Sequence, residues 1–167
     1  MVIIEEVIPL KLRGGQLSQK WDERFLGVAH LISTWSKDPS TKVGAIAVNT
    51  DRRILAQGYN GFPSGAKDSK AIYDDRVSKY RMVVHAESNV IYNACNFRVG
   101  LKLSTIFIFG MYPCPECIKA LAQVGIARVV FQLGNSDNTD KWKEHFEISR
   151  NILHELGIGF THYKEFR

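Results

Sequence analysis

From residue 85 onwards, segments with helical spacing alternate with short apolar runs. Helices are predicted over residues 85–95, after Pro115 and over about 142–156. The apolar runs, each short enough to be one strand, lie near residues 104–109, 127–132 and 159–162. Because helices connect these strands, the strands are predicted to run parallel, in a sheet with helices on both faces. This alternation is typical of the α/β class.

The N-terminal half predicts one helix and one hairpin. Apolar residues recur at helical spacing between Trp21 and Trp35, and Asp38-Pro39 ends that helix. Apolar runs at residues 43–49 and 54–58 are separated by a polar turn, which is typical of a β-hairpin. Residues 59–82, rich in glycine and charge, are expected to be a loop that forms a lid or a pocket wall.

The chain is long enough to bury one substantial core. It has 167 residues, 45% of them hydrophobic, so residues 20–167 are predicted to form a single domain after an N-terminal extension of residues 1–19. Glu5 and Glu6 interrupt the apolar start and no apolar run reaches membrane-spanning length, so a cytoplasmic location is expected. The formal net charge of +5, with dispersed lysines and arginines, favours a small phosphorylated ligand, or a role in solubility alone, over binding of a nucleic acid.

The three cysteines are an odd number and do not suggest a disulfide framework. Cys114 and Cys117 form a close pair, which is typical of a metal site or of a redox pair in a reducing compartment. Cys95 is interpreted as a small, buried apolar residue. The close pair is therefore the first indication of function.

Two motifs, His85-Ala86-Glu87 and Pro113-Cys114-Pro115-Glu116-Cys117, each stand where a helix is predicted to begin. There the positive end of the helix dipole favours thiolates, the form of cysteine that binds zinc. One imidazole and two thiolates make three ligands, the number expected when zinc keeps a fourth position for water. Taken separately, the motifs also fit a thioredoxin-type redox pair, a structural zinc site or a glutamate at a helix start.

The combination of H-x-E with P-C-x-x-C is the signature of zinc deaminases, in which the glutamate is the acid and base and not a ligand. On this interpretation Glu87 takes a proton from the attacking water, oxygen is added at C4 of a cytosine ring, and the same carboxyl protonates the ring and the departing ammonia. The other histidines have no partners at ligand spacing and are expected to be surface or core residues: His30, His145, His154 and His162.

Over about residues 21–163 the chain resembles the deoxycytidylate (dCMP) deaminases of the cytidine deaminase superfamily. Beyond the metal motifs, the likeness lies in Ser36-Lys37-Asp38-Pro39, Lys42-Val43-Gly44-Ala45, and Gly58-Tyr59-Asn60-Gly61 with Pro63 and Gly65. The resemblance implies a cytidine-deaminase-like three-layer α/β/α sandwich, with a five-stranded mixed sheet made of a β-hairpin followed by a parallel βαβαβ half. It also implies one catalytic Zn²⁺ per subunit and hydrolysis of dCMP to dUMP and ammonia, in pyrimidine deoxynucleotide metabolism.

The resemblance further implies that Asn60 contacts the nucleotide, and it adds Ala86 and the Lys79-Tyr80 pair to the substrate site. Lys37, Lys79 and Arg81 are candidate phosphate contacts, because a nucleotide monophosphate needs cationic donors beside its pocket. In many relatives the segment corresponding to Gly58, Tyr59, Asn60 and Gly61 holds a regulatory nucleotide between subunits of a hexamer, with dCTP as activator and dTTP as inhibitor. A plain turn explains the same loop residues.

Three departures from the family pattern concern the substrate. Ser88 follows the H-A-E motif in an unusual place, Gly110-Met111-Tyr112 stands where relatives carry a Thr-Leu pair, and Leu133-Gly134-Asn135 stands where many relatives have a substrate-contacting tyrosine. The alternatives are therefore a deaminase of another cytosine nucleotide, of a nucleoside or of a tRNA adenosine. A regulatory nucleotide-binding module without activity and a redox protein using Cys114 and Cys117 also remain open.

Overall fold

The structure is a computed structural model that describes residues 18–134 and 143–164. Its helices are α1 (Gln19–Ser33), α2 (Lys70–Asp74), α3 (Arg76–Met82), α4 (Ala86–Asn96), α5 (Pro115–Gln123) and α6 (Lys143–Leu156). Its strands are β1 (Gly44–Val48), β2 (Ile54–Tyr59), β3 (Thr105–Gly110), β4 (Arg128–Leu133) and β5 (Gly159–Tyr163). None of the helices within these residues has the length and apolar character needed to cross a membrane.

Parts of four predictions lie outside the described residues. These are the N-terminal extension as far as residue 17, the predicted domain at residues 135–142 and 165–167, Asn135 in the segment after the fourth strand, and Trp142 at the predicted start of the last helix.

A five-stranded mixed sheet forms the middle of the molecule, in the order β2-β1-β3-β4-β5. β1 is antiparallel to β2, with which it forms the predicted hairpin, and also to β3. β3, β4 and β5 run parallel, as expected for strands joined by helices α5 and α6. The predicted fold class is confirmed, with one antiparallel hairpin and one parallel half.

Helices cover both faces of the sheet because successive side chains of each strand point in opposite directions. Ile46, Val48, Phe107 and Val130 pack with the apolar stripe of α1 on one face. Ala45, Ala47, Ile106, Ile108 and Phe131 pack on the other face with residues of α4, α5 and α6. Strands β1, β3 and β4 therefore each contribute to two apolar layers, and the result is a three-layer sandwich.

The prediction of a loop over residues 59–82 is wrong in part, because the segment contains α2 and α3. Each helix begins at a side-chain cap: Ser69 Oγ accepts from the backbone N–H of Ile72, and Asp75 Oδ1 accepts from that of Val77. Both helices are short, with five and seven residues, so they cannot show the apolar periodicity by which longer helices are recognised. The capping residues Ser69 and Asp75 were the feature of the sequence from which the starts of these helices could have been predicted.

Cys95 is exposed, which contradicts its interpretation as a buried residue. It lies on α4, whose buried residues are Ala86, Glu87, Val90 and Ala94. One step along a helix turns a side chain by about 100°, so the residue after Ala94 leaves the buried face.

Candidate active site

Two helix starts bring the metal-ligand candidates together. His85 is the N-cap residue of α4 and Cys114 is the N-cap residue of α5, with Pro115 in the first turn. His85 Nδ1 lies 3.5 Å from Cys114 Sγ and 3.4 Å from Cys117 Sγ. All three ligand atoms lie within 4.8 Å of one another, although the histidine is 29 residues from the first cysteine.

This cluster fits a zinc ion in both chemistry and spacing. Imidazole nitrogen and cysteine sulfur are the usual ligands of Zn²⁺. With the bond lengths usual for zinc, a tetrahedral ion separates a nitrogen and a sulfur ligand by about 3.6 Å. The nitrogen-to-sulfur distances of 3.5 and 3.4 Å come close to that separation. His30, His145, His154 and His162 do not belong to the cluster.

The electrostatics of the cluster favour a thiolate. Hydrogen bonds from Cys117 and His85 lower the pKa of Cys114 to about 4. The hydrogen bond with Cys114 raises the pKa of His85 to about 9. Cys114 also raises the pKa of Cys117, through their hydrogen bond and through the charge of the Cys114 thiolate. A positive charge between these groups is therefore favoured, and a divalent metal ion would supply it in place of the proton on His85.

Glu87 lies in the first turn of α4 and is only 4% exposed. Burial raises the pKa of its carboxyl group, while the charge of His85 acts in the opposite direction. A raised pKa brings a carboxyl group closer to the range in which it both accepts and donates a proton, as a general acid and base must. Because Glu87 also lines a cavity next to His85 and Cys114, that proton can reach a bound ligand.

The cavity has a volume of about 370 Å³, within the usual range for sites that hold a small molecule. Its reactive end is formed by His85, Ala86, Glu87 and Cys114, and Met111 and Tyr112 lie beside them in the lining. The remaining lining residues come from the loop before β1 and from the segment between β2 and α4: Asp38, Ser40, Thr41, Val43, Asn60, Tyr73, Arg76, Lys79, Tyr80 and Val83.

Asn60 is buried in this wall, where its side chain holds the backbone before β1. Its Oδ1 accepts from the backbone N–H of Val43 at 2.8 Å, and its Nδ2 donates to the carbonyl of Thr41 at 2.9 Å. An amide group can make four hydrogen bonds, so one donor and one acceptor position remain for a ligand. Asn60 therefore lines the cavity and also holds the backbone of Thr41 and Val43 in place.

Lys79 and Lys37 occupy different surroundings. Lys79 Nζ is buried, 2.7 Å from Asp38 Oδ2 and 2.6 Å from Ser40 Oγ, and this ion pair ties α3 to the loop before β1. Lys37 does not line the cavity, and its ammonium is paired with Asp68 at 2.7 Å.

Of the other substrate candidates, Ala86 is buried at the reactive end of the cavity. Tyr80 is 50% exposed at the wall and also lines it. Arg81, although on the same helix as Tyr80, is not among the lining residues.

Replacing Lys79 with methionine is expected to lower the free energy of unfolding by about 3–5 kcal/mol, because the Asp38 carboxylate would remain buried without its partner. Chemical denaturation followed by circular dichroism measures this change. Lys70→Met is the matched control, since Lys70 pairs with Asp74 on the surface and its loss should change stability by less than about 1 kcal/mol. Equal effects of the two substitutions would contradict a structural task for Lys79.

The segment predicted to hold a regulatory nucleotide is tightly packed at its first residue. A Cβ atom on Gly58 would lie 2.4 Å from the carbonyl oxygen of Ala86 and 2.6 Å from the backbone nitrogen of Val90. Gly58 therefore lets α4, which carries Glu87, lie directly on β2. Tyr59 is partly exposed with its ring edge-on to Trp35 at 6.1 Å, and Gly61 pairs with Val84 just before the metal-ligand candidate His85.

The sequence predicted a lid or pocket wall within residues 59–82 but did not single out Tyr73 or Arg76, and it did not propose Asp38; all three line the cavity. Tyr73 and Arg76 belong to the segment that was expected to be a loop, so the direction of their side chains could not be inferred. The caps at Ser69, which starts the helix carrying Tyr73, and at Asp75, which starts the helix carrying Arg76, were the signals that could have located them.

Comparison with known proteins connects this geometry to a family. A family model described as the cytidine and deoxycytidylate deaminase zinc-binding region matches residues 19–133. The chain is 36% identical to an uncharacterised deaminase from the luxG 3′ region of Aliivibrio fischeri, over 85% of this chain and 92% of that protein. It is 39% identical to the deoxycytidylate deaminase of Mus musculus, over 86% of this chain and 80% of that protein.

The fold is also similar to a solved structure, the dCMP deaminase from the cyanophage S-TIM5 in complex with dCMP and dUMP. The TM-score is 0.70 at 26% sequence identity, and the similarity covers 88% of this chain and 99% of that chain. The candidate metal-ligand cluster, the buried Glu87 and all of the residues that line the cavity lie within the residues that the family model matches.

Proposed function

Because the chain belongs to the cytidine and deoxycytidylate deaminase zinc-binding family, we propose that it catalyses the zinc-dependent hydrolytic deamination of dCMP to dUMP and ammonia. The observation that carries the proposal is a His-Cys-Cys cluster next to a buried glutamate, in a cavity sized for a small molecule. The names of the relatives support dCMP as the substrate, and the chemistry of the three ligands supports zinc.

In the proposed reaction His85, Cys114 and Cys117 hold the metal, and Glu87 moves the protons. Zinc, when bound, supplies a water molecule whose pKa is lowered to about 7, so that it can attack at neutral pH. The Glu87 carboxylate accepts the proton of this attacking water and donates it to N3 of the cytosine ring. It then transfers the second water proton to the amino group at C4, which leaves as ammonia.

The surroundings of Glu87 suit this exchange of protons. Water is largely excluded from its buried carboxyl group, so the carboxyl can pass a proton without competition from solvent. The first turn of α4 holds Glu87 two residues from His85, and this short link fixes the proton carrier relative to the metal ligand. One reaction consumes one water and releases one ammonia, and the protein is unchanged at its end.

The proposed reaction also bears on the metabolic role, the cellular location and the assembly of the protein. Removing ammonia from dCMP makes a uracil deoxynucleotide, so we assign the enzyme to pyrimidine deoxynucleotide metabolism. A reducing, cytoplasmic location suits the free thiols of Cys114 and Cys117. Assembly as a hexamer, with dCTP as activator and dTTP as inhibitor, is supported by the resemblance of the Gly58 to Gly61 segment to regulated relatives.

Ammonia release from a substrate panel tests the proposal. Zinc-loaded protein would be incubated with dCMP, CMP, deoxycytidine, dCTP and 5-substituted dCMP, each with and without dCTP or dTTP as effector. We expect the highest kcat/KM for dCMP. Activity restricted to a nucleoside or to CMP would overturn dCMP as the substrate, and no release of ammonia from any of them would support a regulatory nucleotide-binding module. The effector arms test the regulatory part separately.

A further inference from the structure

Besides the metal-ligand candidate His85, two cationic side chains line the cavity, Arg76 and Lys79, and they differ in how their charge is balanced. The Lys79 ammonium is buried against the Asp38 carboxylate, so its charge is compensated within the wall. Within residues 18–134 and 143–164, Arg76 forms no ion pair with any carboxylate. Arg76 is therefore the lining cation whose charge is available to an anionic ligand.

Tyr80, one helical turn further along α3, holds the guanidinium group of Arg76. The Arg76 Nε donates to the Tyr80 hydroxyl at 3.1 Å, and the guanidinium carbon lies 5.4 Å from the centre of the tyrosine ring. With Nε engaged, the donors on Nη1 and Nη2 remain as a planar pair. Such a pair matches two oxygens of a phosphate group and binds them with parallel hydrogen bonds.

Arg76 begins α3, so it lies at the end of that helix farther along the chain from His85. α3 runs from Arg76 to Met82, which at 1.5 Å per residue displaces its first residue from its last by about 9 Å. His85 follows three residues after this helix ends. In a nucleoside monophosphate the base and the 5′-phosphate lie at opposite ends, so a base held near Glu87 would extend its phosphate toward the wall that carries Arg76.

We propose that Arg76, oriented by Tyr80, binds the 5′-phosphate of a pyrimidine nucleoside monophosphate and so selects nucleotides over nucleosides. This inference rests on the proposed function for the position of the base. It assigns the phosphate to a residue other than Lys37, Lys79 and Arg81, the candidates drawn from the sequence. Tyr80 is a positioning residue here, since it acts through the guanidinium group.

The test compares binding of dUMP and deoxyuridine, which differ only in the phosphate, to the wild-type protein and to Arg76→Gln. We expect Arg76→Gln to weaken dUMP binding about 10- to 100-fold, since it loses two charge-assisted hydrogen bonds, and to leave deoxyuridine binding unchanged. Tyr80→Phe keeps the ring and removes the hydroxyl, and should weaken dUMP binding by a smaller factor. Arg98→Gln is the control, because Arg98 is exposed at the end of α4 and does not line the cavity.

Binding of dUMP to Arg76→Gln with wild-type affinity would overturn the proposal, as would an equal loss for dUMP and deoxyuridine. An equal loss in Arg98→Gln would also overturn it, since the effect would then follow net charge alone. Turnover of dCMP by the wild-type protein is measured alongside. If the wild-type protein binds dUMP more tightly than deoxyuridine through Arg76 but releases no ammonia from dCMP, the phosphate site is supported. The proposed reaction would then be wrong.

Discussion

Replacing Glu87 with glutamine is expected to lower kcat for dCMP by about 10²–10⁴-fold, because the amide group can neither accept nor donate the proton that the reaction moves. Binding of dUMP should change little, since the side chain keeps its shape and the metal ligands are intact. Steady-state ammonia release and dUMP binding, measured on protein of known zinc content, separate these two effects.

The free energy of unfolding of the Glu87→Gln variant is a second quantity to measure. Burial raises the pKa of Glu87, which means that its charged form is less stable in the folded protein than in the unfolded chain. A neutral glutamine removes that cost, which is present above the unfolded-state pKa. At neutral pH the free energy of unfolding of the metal-free variant is therefore not expected to fall. A large loss of stability would show that any loss of activity follows from misfolding.

Glu116→Gln is the matched control for Glu87→Gln. Glu116 also lies in the first turn of a helix that carries a metal ligand, but its side chain is 81% exposed and pairs with Lys119. The two substitutions make the same chemical change, one inside the cavity and one at the surface. Unchanged kcat in Glu87→Gln, or an equal decrease in both variants, would remove Glu87 from the reaction.

Replacing Cys114 with alanine is expected to lower zinc affinity by more than about 100-fold and to abolish turnover. Loss of an outer-shell partner alone typically costs 10–100-fold in metal affinity, and Cys114 is a candidate for direct ligation. Elemental analysis after dialysis measures the zinc per subunit, for which we expect one equivalent in the wild-type protein. Thermal unfolding should show that added zinc stabilises the wild-type protein and not the variant.

Cys95→Ala is the control for Cys114→Ala, because Cys95 is an exposed cysteine on α4 outside the cluster. It should retain one zinc and full activity. A full equivalent of zinc in Cys114→Ala would reject this cysteine as a ligand. Wild-type protein that holds no zinc and forms a reversible disulfide between Cys114 and Cys117 would favour the redox alternative.

The sequence predicted the fold correctly wherever a helix or strand has its own pattern of apolar residues. The alternation of helices and strands after residue 85 predicted the parallel half of the sheet, and apolar runs around a polar turn predicted the hairpin of β1 and β2. The short helices α2 and α3 could not be predicted in this way, because five and seven residues do not complete an apolar stripe. Their side-chain caps start them, and packing at the cavity wall positions them.

The identity of the metal-ligand candidates was determined by the sequence itself, because Cys114 and Cys117 lie on one helical turn and His85 and Glu87 on another. Which residues complete the cavity was decided by the tertiary structure. Lys79 forms an ion pair with Asp38, which is 41 residues away in the sequence. Because this pair compensates the charge of Lys79, Arg76 is the lining cation that remains available to a ligand. Spacing within a helical turn follows from backbone geometry, whereas a contact between distant segments depends on how the whole core packs.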